Sequence, residues 1–156
     1  MSYADKAEEI FKSGLNCAQA VAAAFSELYD GVSEQQIMEI SSPFGGGFGR
    51  KRELCGAVSG MGIAYGLIKG THKPEDKNYT YQKVSALADI FSARYESLVC
   101  GTLLRNSLKL ITVSGEKMPE LETVSGKPWP CVGYVRGAAE ILEEYLREQD
   151  SSKVSG

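Results

Sequence analysis

Apolar residues recur at helical spacing along nearly the whole chain, and no stretch alternates cleanly with the period of two that a half-buried strand needs. That pattern points to the all-α class. Tyr3, Ala7, Ile10 and Phe11 share one face of a first helix, which Gly14 stops. Asn16 is an N-cap for a second helix, with Cys17, Val21, Phe25 and Leu28 along one side. Ser33, with Gln36 three residues on, opens a third as a capping box, with Ile37 and Ile40 facing inward. A glycine-rich loop, Ser41 to Gly49, leads into a fourth helix, about Leu54 to Lys69, that is apolar nearly all round. It carries Gly56, Gly60, Gly62 and Gly66. Glycine costs about 1 kcal/mol against alanine in a helix interior. So many glycines imply close approach of neighbouring backbones, and this helix is expected at the centre of a bundle.

Gly70 to Pro74 breaks the chain, and a long fifth helix follows with Tyr81, Val84, Ala88, Phe91, Tyr95 and Leu98 on one seam. Cys100-Gly101 punctuates it, and a shorter helix covers about Thr102 to Leu110. Ile111 to Val113 is the one candidate for a short extended piece, and a lone strand builds no sheet. Ser114 to Pro130 reads as loop. The last helix, about Cys131 to Gln149, buries Cys131, Val135, Ala138, Ala139, Leu142 and Leu146 and turns Glu140, Glu143, Glu144 and Arg147 to water. The expectation is a single all-α domain, residues 1–150, of six or seven helices, with residues 151–156 as a flexible tail.

At 156 residues and 43% apolar content the chain can bury a core. A net charge of -3 argues against a nucleic-acid partner. No apolar run reaches the ~18 residues of a membrane span. The N-terminus is an acidic helix start without the basic and apolar regions of a secretory signal, so a cytoplasmic location is expected. In that compartment the four cysteines suggest metal binding or redox chemistry rather than structural disulfides.

Cys17, Cys55, Cys100 and Cys131 are scattered, unlike the close pairs of zinc ribbons or ferredoxin loops. Their positions in the helices say more. Cys17 follows an N-cap, Cys55 follows the glycine-rich loop, Cys131 follows Pro128-Trp129-Pro130, and Cys100 sits at a helix break. A first helical turn offers free backbone N–H groups and about half a positive charge, both of which favour a thiolate. Lowered thiol pKa values are therefore expected, most of all at Cys55 beside the basic run Arg50-Lys51-Arg52. Cys17 and Cys131 also lie on apolar faces, so packing those faces together would gather their sulfurs. The plainer reading is that the cysteines are small core hydrophobes.

These residues carry a family resemblance. Asn16-Cys17-Ala-Gln-Ala-Val21, Phe44-Gly-Gly-Gly-Phe-Gly-Arg50, Cys55-Gly-Ala-Val-Ser-Gly60, Cys100, and Cys131 with Val135-Arg136 and Ala138-Ala-Glu-Ile-Leu142 resemble the C_GCAxxG_C_C family of redox-active proteins. The match runs from about Ala7 to Leu146. The resemblance implies a small helical domain, a four-cysteine site and a role beside oxidoreductases or transporters, one of which would be the protein partner. It also raises an iron–sulfur site. Relatives often carry an arginine directly after the third cysteine, where Gly101 stands here, which puts in doubt a cation beside Cys100.

Other motifs carry less. The loop from Gly45 to Arg52 has no Gly-Lys-Ser/Thr and follows no strand, so it is neither a P-loop nor a dinucleotide fingerprint. An anion could bind where it opens a helix beside Arg50, Lys51 and Arg52. A tight turn packed near Cys55, with a solvated basic run, is the preferred account. His72 is the only histidine and is expected in solvent, which disfavours histidine metal sites and serine triads. Tyr65 and Tyr134 are expected to pack in the core.

Two chemistries stay open. Cys17, Cys55, Cys100 and Cys131 could hold an iron–sulfur cluster or other metal, with backbone N–H groups of Gly45, Gly46, Gly47 and Gly56 as cofactor-binding groups. Alternatively, pairs of them cycle between dithiol and disulfide. The rival class is a non-enzymatic helical binding module with core cysteines. The oligomeric state, a homodimer included, is open at this level.

Overall fold

The computed structural model describes the backbone of residues 1–113 and 130–154, and the side chains of residues 1–106 and 130–150. Among the described residues there are seven α-helices and no sheet: α1 Tyr3–Lys12, α2 Cys17–Ala24, α3 Glu34–Ser41, α4 Gly56–Lys69, α5 Lys77–Tyr95, α6 Cys100–Val113 and α7 Pro130–Val154. The expected loop from Ser114 to Pro130 falls outside those residues, save that Pro130 begins α7. That helix runs on to Val154 rather than ending near Gln149. Ile111 to Val113 belong to α6, correcting the extended piece.

The helix starts are those the caps dictate. The Asn16 side chain accepts from the Gln19 N–H at 3.0 Å and Gln19 reaches back, and Ser33 and Gln36 do the same for α3. Asn16 has a second task. Its Nδ2 donates to the Ser42 carbonyl at 2.8 Å, tying the α2 start to the glycine-rich segment.

Two helices share the centre. In α2, Ala18 and every residue from Ala20 to Ala24 are buried, so small side chains let other helices close in on all sides. The glycine-rich α4 crosses it. A Cβ on Gly60 would stand 2.6 Å from the Ala18 carbonyl oxygen, and one on Gly56 would stand 3.1 Å from Cys17 Cβ. Only these two glycines answer the close-approach argument, because Gly62 and Gly66 have nothing within 4 Å. Phe11, Val21, Phe25, Ile37, Met61, Leu87, Phe91, Val135 and Leu142 complete the core.

Some faces differ from the periodicity. Ile40 and Tyr81 are exposed, at 54% and 61%, while Leu87, absent from the expected seam, is buried. Leu28 lies in a short 3₁₀ turn beyond α2 and is also exposed. The last helix matches its expected face: Val135, Ala138, Ala139 and Leu142 are buried. Against it the Tyr95 hydroxyl occupies the space where a Gly137 Cβ would be and donates to the Gly133 carbonyl at 3.2 Å. Arg136 clamps the same helix to α1 through Asp5, at 3.0 Å, and Glu8. No helix among the described residues is long and apolar enough to cross a membrane.

Candidate functional site

The four cysteines line one cavity of about 530 Å³. Each comes from a different helix start. Cys17 is the first residue of α2, Cys55 the N-cap of α4, Cys100 the first residue of α6, and Cys131 the second residue of α7. All four are free thiols; Cys55 and Cys100 are buried, and Cys17 and Cys131 are half-buried. A single antiparallel bridge between Leu54 and Val99 holds two of the starts together. Across it the Cys55 N–H donates to the Leu98 carbonyl at 2.8 Å, and the Cys100 N–H donates to the Glu53 carbonyl at 2.6 Å. Nothing in the sequence pattern marks a two-residue bridge of this kind.

The glycine-rich segment is more than a tight turn. Gly46, Gly47, Phe48, Gly49 and Arg50 all have φ between 59° and 71°, and Arg52 follows at 61°. The chain thus makes a left-handed coil, which glycine adopts freely and L-residues resist by about 1–2 kcal/mol each. Hydrogen bonds hold it: the Gly49 N–H donates to the Gly45 carbonyl at 2.8 Å, the Arg52 N–H to Gly46 at 3.1 Å and the Glu53 N–H to Gly47 at 3.2 Å. Those donors are engaged inside the loop and are not free for sulfur. Gly45, Gly46 and Gly56 line the cavity. Gly47 is buried instead, packed against Cys100.

The coil delivers a cation to a place the sequence argued against. Arg52 Nη1 lies 3.7 Å from Cys100 Sγ. The doubt raised by Gly101 is thereby corrected: the guanidinium beside this thiol arrives from another segment and passes over Gly101, whose absent Cβ would lie 3.5 Å from Arg52 Cβ. The expectation that Cys55 has the most activating surroundings is corrected as well. The described partners of its sulfur are the amides of Ala57 and Val58, not the basic run.

Helix-start placement does not lower the thiols at Cys17 and Cys55. Burial pushes Cys55 up to about 11, with the Ala57 and Val58 amides pulling the other way. Cys17 stands well above the ordinary value, chiefly through its hydrogen bond with Cys131, then through burial and the neighbouring sulfurs. Desolvation and like-charge crowding outweigh half a dipole charge.

A pH dependence follows. A thiol raised in the folded state keeps its proton where the unfolded chain, near 8.5–9, has lost it. Its stability contribution is therefore complete below about pH 8.5 and is lost as pH rises toward about 11. For Cys55 the loss is on the order of 2–3 kcal/mol. Urea unfolding under reducing conditions between pH 8 and 11 should show it, and a Cys55→Ala variant should show a shallower decline. An equal decline in both would refute the assignment to Cys55.

Among the described residues no three His, Cys, Asp or Glu side chains are arranged to hold a metal ion. The four thiols are the right donors for a thiolate-bound metal or cluster, but as placed they do not form its ligand set. His72 is exposed in its loop, as expected, and Tyr65 is buried. Tyr134 lines the cavity and donates to the Leu103 carbonyl at 2.8 Å.

An all-α domain that gathers four helix-start thiols around one cavity belongs to the class of small cysteine-site proteins. Residues 15–145 match the family described as Putative redox-active protein (C_GCAxxG_C_C), and the chain belongs to that family. A redox-related role in the general sense goes with that membership. No curated protein and no solved structure shows a significant match.

Proposed function

We propose that this cavity is a thiol–disulfide exchange site in which Cys17 and Cys131 are the reacting pair. The observation that carries the reading is that all four cysteines line one cavity, in which the Cys17 thiol is raised chiefly through Cys131. Two thiols that line one cavity and shift one another's titration are the natural pair to bond. With the Cys17 thiol held well above its ordinary value, the reading makes Cys131, half-buried in the first turn of α7, the attacking sulfur. Its thiolate attacks a disulfide R–S–S–R, forming Cys131–S–S–R and releasing RS⁻, which takes a proton. The Cys17 sulfur, once deprotonated, then attacks Cys131 Sγ and releases the second RS⁻. The net change is two protein thiols oxidised to one disulfide and one external disulfide reduced to two thiols, and the steps run in either direction.

Cys55 and Cys100 also line the cavity, their helix starts tied together by the Leu54–Val99 bridge. The burial of Cys55, 5% exposed, favours a structural part for that sulfur. No step is routed through a metal, because the described arrangement does not assemble its ligands.

The test is disulfide mapping. Protein purified without oxygen is oxidised in graded disulfide buffers, alkylated, digested and analysed by mass spectrometry. One bond joining Cys17 to Cys131 is expected, with Cys55 and Cys100 alkylated on unfolding. Cys17→Ser or Cys131→Ser should abolish the bond, and Cys55→Ser should leave it intact. Absence of that bond under oxidising conditions, or iron and sulfide bound in stoichiometric amounts to four protected thiols, would overturn the reading.

A further inference from the structure

The cavity carries charge of one sign. Among the described residues Arg50 and Arg52 line it and no Asp or Glu does, although the chain as a whole bears -3. Among the described residues neither arginine is ion-paired with a carboxylate, and the one polar contact of either side chain is that of Arg52 with Cys100 Sγ. The left-handed coil places them together. A Cβ on Gly46 would meet Arg50 Cγ at 3.0 Å and Arg52 Nη1 at 3.9 Å, so both side chains bracket the same glycine at the cavity wall. Both arginines hold positive φ, a conformation their own side chains disfavour and the surrounding bonds enforce.

Two guanidiniums with no carboxylate partner among the described residues focus a positive potential into the cleft they line and raise the local concentration of anions. A guanidinium presents a planar fork that fits a carboxylate through two hydrogen bonds. A volume of about 530 Å³ lies in the range of small-molecule sites and suits a molecule of a few residues' size rather than a folded chain.

We infer that the oxidant or reductant exchanged at this site is a small disulfide or thiol bearing carboxylates, whose acidic groups are held by Arg50 and Arg52 while its sulfur meets Cys131. This rests on the dithiol reading above and names the substrate class for the same cavity. The chemistry is the exchange already written, with R carrying the carboxylate. One external disulfide is reduced, the Cys17–Cys131 pair is oxidised, and each departing RS⁻ takes one proton.

The experiment compares three disulfides of different charge against the reduced full chain: dithiodiglycolate, which is anionic, bis(2-hydroxyethyl) disulfide, which is neutral, and cystamine, which is cationic. Rates of Cys17–Cys131 bond formation are normalised to each probe's rate with a free small thiol. Dithiodiglycolate should lead the neutral probe by about tenfold, with cystamine slowest, and the lead should shrink as salt rises. In the Arg50→Gln/Arg52→Gln double variant the ratio of the anionic to the neutral rate should fall close to unity. Oxidation by all three probes at equal normalised rates would overturn the charge assignment and leave the dithiol reading standing. Failure of every probe to form the Cys17–Cys131 bond would overturn both. The salt series on the unaltered protein decides the charge question even if the double variant does not fold.

Discussion

Oxidation that joins Cys17 to Cys131 is expected to raise the thermal midpoint by on the order of 10 °C. The bond would close a ring of about 115 residues, and in the chain-entropy account a ring of that size stabilises the fold by roughly 4–5 kcal/mol. In a domain of this length each kcal/mol moves the midpoint by about 2–4 °C. The measurement is a pair of thermal scans, one on reduced protein and one on protein mapped as fully oxidised. A midpoint unchanged or lower on oxidation would mean that the two sulfurs are held apart by more than a side-chain rotation, and the exchange pair would have to be sought elsewhere.

Gly47→Ala should be among the most damaging single-methyl additions in the protein. A Cβ there would stand 2.7 Å from Cys100 Cβ, 2.7 Å from the Glu53 nitrogen and 2.9 Å from the Arg52 carbonyl carbon, at a φ of 64°. Two of those neighbours are backbone, so the segment itself has to move. Overpacking and the left-handed conformation together cost about 3 kcal/mol. The control is Gly49→Ala, which shares a φ of 59° but has nothing within 4 Å. It should lose only about 1 kcal/mol. Urea unfolding of the two variants checks the difference, and equal losses would show that contact at Gly47 contributes nothing beyond backbone strain.

Local signals carried much of the fold. The Asn16 and Ser33 caps, the Gly14 stop and the apolar face of the last helix are each written within a few neighbouring residues, and each stands in the structure as read. The helix-start placement of the cysteines was legible for the same reason. Ile40 and Tyr81 were not, because periodicity finds a face without saying whether another element arrives to cover it. The pairing of Arg52 with Cys100 was hidden more deeply. It depends on a run of positive φ values that includes Phe48, Arg50 and Arg52, and side-chain residues give no compositional warning of such a conformation. The thiol pKa values failed in an instructive way. A helix start was visible in the sequence, whereas the burial and crowding that outweigh it arise only after distant segments meet.

The order in which the walls of the cavity occur along the chain has a consequence for biosynthesis. Cys17, Cys55 and Cys100 leave the ribosome well before Cys131, whose helix also brings the Arg136 clamp back onto α1. Until α7 docks, Cys131 has not joined the other three cysteines at the cavity, and the proposed exchange pair is not assembled. On the exchange reading, reactivity is withheld until α7 has been made and has docked.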